Sequence, residues 1–198
     1  MTTYPENLIF QEVPPGPLRA WFAEVLAAYP ALAGRTIYLR QAAIARSTMR
    51  AQPVINRRFF RRATREYRID ISNHLTVTNH VRVQELPKAV VAGWFAHELG
   101  HVMDFLDRPL LGMISFGLRY ALWSPYLRKA ERRADTFAIR HGFGREIVAT
   151  KQYLFAHTTL PQRYKKRLRK YYLSADEIEG LILDWEEKRQ LHSRIAEV

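Results

Sequence analysis

The stretch Val90-Val91-Ala92-Gly93-Trp94-Phe95-Ala96-His97-Glu98-Leu99-Gly100-His101-Val102-Met103-Asp104-Phe105 is apolar on all sides and carries two histidines four residues apart. Pro87 stands before it and Pro109 after it, so a helix is expected from about Lys88 to Leu106. On a helix, residues four apart lie one turn above the other on the same face. His97 and His101 therefore present two imidazoles to one ion without help from a loop. Glu98 lies about 100° further round the helix, where it chelates poorly but reaches a water on the open side of that ion. Gly100 removes bulk beside the same face. Two neutral nitrogen ligands, a polarised water and a carboxylate to take its proton are what zinc-dependent hydrolysis requires, so Zn2+ is the expected cofactor and Glu98 the expected general base.

A catalytic zinc site usually takes three protein ligands and leaves one position open. Downstream, Glu131 and Asp135 are again four apart, on a helix expected to start at Ser124-Pro125 and to stop at Gly142. Glu131 is the expected third ligand. Asp135 is then expected to accept from the free ring N–H of a zinc-bound histidine and fix its tautomer. Asp135 itself, Asp104 and His141 compete for the third place. The competing reading of the pair is a solvated helix face, because Arg128, Lys129, Arg132 and Arg133 offer ion-pair partners. For a donor to the developing oxyanion, His141, His157, Arg140 and Tyr153 are all candidates.

His-Glu-x-x-His followed by Glu-x-x-Ala-Asp, with Phe137 and Ala138 next, resembles the gluzincin metallopeptidases. It looks most like the branch of the CAAX-processing and HtpX-type peptidases, and the Asp three residues past His101 is similar to soluble gluzincins of the lethal-factor type. The resemblance spans about residues 90 to 142. It implies a zincin-like fold, zinc on His97, His101 and Glu131, Glu98 as general base, Asp135 as supporting acid, and a peptide or protein substrate. The transmembrane helices usual in that branch have no counterpart here.

Outward from the motif, the front of the chain reads as one helix with a small sheet. An apolar-periodic helix is expected from Leu18 to Tyr29, stopped by Pro30. Strands are expected at Thr36 to Arg40 and Tyr67 to Ser72, with Leu75 to Val83 a further candidate. Helices are expected over Glu146 to His157 and from the Ser174/Glu177 capping box toward Ile195. The fold class is therefore α+β, in one domain. A sheet-bearing lobe takes up about residues 1–86 and a helical lobe residues 87–198, with the metal between them. Many peptidases hold substrate extended along an edge strand, and Tyr67 to Ser72 or Leu75 to Thr78 is the expected edge.

The chain has no cysteine, which excludes disulfides and thiolate metal sites. No basic region followed by an apolar run opens it, so no secretory signal is expected. The segment Leu110 to Trp123, broken by Arg119, is too short to span a bilayer and reads as a buried or interfacial helix. A cytoplasmic protein, peripheral to a membrane at most, is expected. The formal net charge of +12 is concentrated in two clusters, one from Arg57 to Arg68 and one from Arg163 to Lys170 with Tyr164, Tyr171 and Tyr172 around it. These read as solvated faces, as an anionic-membrane contact or as a nucleic-acid contact; the apolar segment favours membrane. The alternative to a peptidase is a basic binding protein with a structural or vestigial zinc site.

Overall fold

The computed structural model describes residues 4–45, 47–75, 81–156 and 162–196. It is mixed α+β. Strand β1 (Leu8–Gln11), helix α1 (Pro17–Ala27) and strand β2 (Ile37–Gln41) form a crossover unit. Strands β3 (Met49–Pro53) and β4 (Tyr67–Ile71) complete a four-stranded sheet of order β1-β2-β4-β3. β1, β2 and β4 are parallel, and β3 runs antiparallel to β4 at the edge. Six α-helices follow among the described residues: α2 (Lys88–Leu106), α3 (Leu110–Leu122), α4 (Ser124–Arg140), α5 (Gly144–Ala156), α6 (Gln162–Tyr171) and α7 (Ala175–Ala196).

α2 is the axis of the molecule. It is apolar around its whole circumference, so it must be surrounded by protein. It packs against α1, β3, β4, α4 and α5, and 14 of its 19 residues are buried. One continuous apolar core runs from Leu8 through Ile37, Ile69, Phe95 and Ile139 to Ile178. Two glycines let neighbouring helices close on α2. A Cβ at Gly100 would land on the Ala134 carbonyl of α4, and one at Gly93 on the Glu146 carbonyl of α5. Ala130, Ala134 and Ala138 are buried on α4. Gly142, with φ of +91°, ends α4 in the left-handed region that glycine adopts without strain.

Several expectations need correction. Tyr67–Ile71 is an inner strand, paired on both sides by β2 and β3, so it offers no free edge. The edge beside α2 is β3, whose Met-Arg-Ala-Gln-Pro sequence lacks the β-branched alternation that marks a strand. β1 also went unread. The sequence pattern Ser124-Pro125 predicts Ser124 as the N-cap of α4, but Trp123 holds that position and Ser124 is the first helical residue, its hydroxyl 2.9 Å from the Tyr171 hydroxyl. α3 is not a buried helix, since only Met113 and Phe116 among its residues are buried. The Ser174/Glu177 box does form, with Glu177 N donating to Ser174 Oγ at 3.2 Å and Ser174 N to Glu177 Oε2 at 2.8 Å. Most of the candidate strand Leu75 to Val83, residues 76–80, lies outside the described residues. No helix among the described residues is long and apolar enough to cross a membrane.

Candidate metal centre

His97 and His101 project from one face of α2 toward α4, which lies close because Gly100 sits against Ala134. Glu131 meets them from α4. Its Oε2 is 3.2 Å from His97 Nε2 and 3.7 Å from His101 Nε2. One ligand atom from each of the three residues falls within 4.8 Å of the other two, and all three residues are buried. Donor atoms about 2.0–2.2 Å from a tetrahedral ion stand roughly 3.3–3.6 Å apart, close to the two Glu131–histidine distances, and the three side chains would have to draw together slightly around an ion. The chemistry of the group, two imidazole nitrogens and a carboxylate, matches a zinc donor set.

Behind this group is a chain of supporting bonds. Asp135 Oδ1 is 2.9 Å from His97 Nδ1, and Asp135 Oδ2 accepts from Lys151 Nζ at 2.6 Å and from Leu173 N at 3.3 Å. Burial pushes the Asp135 pKa up, but the hydrogen bond from His97 and the Lys151 charge outweigh it and hold it below the usual value. An ionised Asp135 makes His97 Nδ1–H the donor there and leaves Nε2 facing Glu131. Burial opposes charge on His97 too. Hydrogen bonds to Asp135 and then Glu131 prevail and push its pKa up to about 10. Glu131 is held well below the usual carboxylate range, burial being outweighed by His101 first and then His97. The Tyr120 hydroxyl of α3 also donates to Glu131 Oε1.

Glu98 lies apart from this group, toward the sheet. Its Oε2 accepts from Ala51 N of β3 at 2.6 Å. Burial raises its pKa, with His101 and His97 pulling it back in part. All four side chains line a cavity of about 1390 Å³, walled by Phe59, Trp94, Phe105, Phe116 and Phe155 among others.

The competitors for the third ligand position are engaged elsewhere. Asp104 pairs with Arg108 and Arg133 at 2.7 Å each. His141 sits past the end of α4, stacked on Tyr29 at 4.1 Å and bonded to the Phe137 carbonyl. Of the oxyanion candidates, His141, Arg140 and Tyr153 do not line the cavity, and His157 lies outside the described residues. Tyr120, Lys151 and Tyr172 do line it and were missed. Tyr120 is on the helix read only for its hydropathy, and Lys151 needs the α4–α5 packing to reach Asp135. Compared with family models, curated proteins and solved structures, the chain matches none.

Proposed function

We propose that this chain is a zinc-dependent peptidase of gluzincin type with a zincin-like arrangement of sheet and helices. The observation that carries the reading is the convergence of His97, His101 and Glu131 within 4.8 Å, with Glu98 lining the same cavity. The two histidines and Glu131 would hold the ion, and zinc at such a site supplies Lewis acidity toward a water and a carbonyl oxygen. Glu98 takes the proton of the attacking water and passes it to the leaving amine. With an ion in place of the Nε2 proton, Asp135 would hold the His97 Nδ1–H and keep Nε2 turned to the ion, and Lys151 bonds the Asp135 carboxylate. β3 is the edge strand, and the Ala51 N–H that points to Glu98 shows which way its free edge faces. An extended substrate pairs there, main chain to main chain. A structural site is usually closed by four protein ligands, whereas the group among the described residues has three.

The test is zinc content per chain after dialysis against zinc, followed by cleavage of an unstructured protein such as casein, read by mass spectrometry. Wild type should hold close to one ion and cleave. Glu98→Gln should hold the ion and not cleave. A protein that takes up no zinc, or a Glu98→Gln variant that cleaves like wild type, would refute the proposal.

A further inference from the structure

Charge is segregated along this chain. None of its 19 acidic residues falls within 25–65, 108–130 or 147–175. These same three segments, with α2 and α4 between them, line the cavity that holds the candidate metal centre. The acidic residues of the cavity lining therefore all come from α2 and α4.

α3 lies in the second of these segments and has two apolar faces. Met113 and Phe116 pack inward, while Leu111, Ile114, Leu118 and Leu122 project outward within about 80° of arc. Leu111 and Leu122, near its two ends, are 78% and 83% exposed. Trp123, just past the end of α3, is exposed too and stacks on Tyr126. Ile114 and Leu118 also line the cavity, as does Ile55, which is 72% exposed on the other wall.

Each end of the ridge meets a basic cluster. At its start, buried Arg65 reaches the Arg108 carbonyl at 2.5 Å, and Arg62 reaches Asp107 at 3.3 Å. These bonds bring the turns carrying exposed Arg57, Arg58, Phe60, Arg61 and Arg62 beside the α2–α3 corner. At its end, Ser124 meets Tyr171, which brings in α6 with exposed Arg163, Lys166, Arg169 and Lys170.

We infer that this face docks on an anionic lipid bilayer, with α3 lying in the interface. Thirteen residues make a helix about 20 Å long, so α3 lies along the surface. A convex leucine ridge with an interfacial tryptophan and flanking cations is the pattern of a helix that inserts its apolar side among headgroups while cations meet anionic lipid. The charge of this face is complementary to lipid phosphate, with the exposed Asp107 at the α2–α3 corner paired to Arg62. The cavity then opens at the bilayer surface. On the peptidase reading above, its substrates are polypeptides held at that surface, and the apolar walls take their apolar side chains.

The test is flotation of the full chain with vesicles of phosphatidylcholine alone and of phosphatidylcholine with phosphatidylglycerol, at low and high salt. Anionic vesicles should carry the protein at low salt, and salt should release it. The pair Leu111→Glu with Leu122→Glu should cut the bound fraction about tenfold or more. Lys166→Glu with Lys170→Glu, away from the ridge, should lower it as well. None of the four residues lines the cavity or belongs to the core, and a thermal melt checks that both variants fold. Glu98→Gln should float like wild type, so failure to float and failure to hydrolyse are separate results. The inference is overturned by equal binding to neutral and anionic vesicles, by no binding, or by binding that ignores both pairs. It is also overturned if sedimentation shows a dimer that Leu122→Glu dissociates, since a second copy then covers the ridge. Protein that ignores vesicles but retards a DNA duplex would assign the cations to nucleic acid instead.

Discussion

Gly100→Ala tests whether the α2–α4 contact sets the geometry of the candidate metal centre. The added Cβ falls on the carbonyl oxygen of Ala134, with the Ala134 carbon and Cα both at 3.0 Å. Both partners are helix backbone, so no side chain can swing away. To restore ordinary contact at about 3.5–4.0 Å, the helices must part by roughly 1 Å. Overpacking of this kind costs about 1–3 kcal/mol, and the better helix propensity of alanine returns about 1 kcal/mol. A net loss of up to about 2 kcal/mol lowers the Tm of a domain this size by up to roughly 8 °C. Metal-ligand distances tolerate only about 0.2 Å. Moving Glu131 on α4 away from both histidines on α2 should therefore weaken zinc binding about tenfold or more. Gly180→Ala is the control: it lies on α7 with open space around it, and it should gain about 0.5–1 kcal/mol. Differential scanning calorimetry and zinc competition with a chromophoric chelator read both effects. A Gly100→Ala protein with wild-type Tm and zinc affinity would refute the reasoning.

Lys151→Met removes the cation that bonds Asp135 at 2.6 Å and leaves a buried carboxylate with His97 and a long bond from Leu173 N. It should cost roughly 2–4 kcal/mol in a denaturant titration and weaken zinc binding up to about tenfold; an unchanged midpoint would sink the idea. Asp70, fully buried on β4, is ringed by Arg40, Arg50 and Arg68. Burial raises its pKa, but hydrogen bonds from Arg40 and Arg50 and the Arg68 charge hold it below the usual value. Its contribution is thus complete above the unfolded value of about 4 and is lost as pH falls through the lower folded value. Asp70→Asn should cost about 2 kcal/mol at neutral pH, and its gap to wild type should close only below about pH 4. A gap that closes between pH 6 and 8 would show that another group controls it.

The sequence by itself determined what a single helix turn can determine. His97 and His101, and Glu131 and Asp135, share helix faces because 3.6 residues per turn fixes their phase with no knowledge of the rest of the chain. The ends of α2, the stop at Gly142 and the Ser174/Glu177 box are equally local, depending on backbone groups within a turn of the residue that satisfies them. The α+β class followed from strand-like patterns in front and helical ones behind.

Tertiary structure decided everything that depends on which element lies beside which. β3 is a strand because β4 pairs with it, and its weak propensity gave no sign of it. For the same reason Tyr67–Ile71, the clearest strand pattern, lies inside the sheet and is not its edge. Tyr120 reaches Glu131, and Lys151 reaches Asp135, only because α3 and α5 fold against α4. The apolar residues of α3 look alike in sequence, yet one side of the helix packs on Phe105 and Tyr126 while the other is exposed. Hydropathy records how apolar a residue is, and only packing decides whether protein covers it.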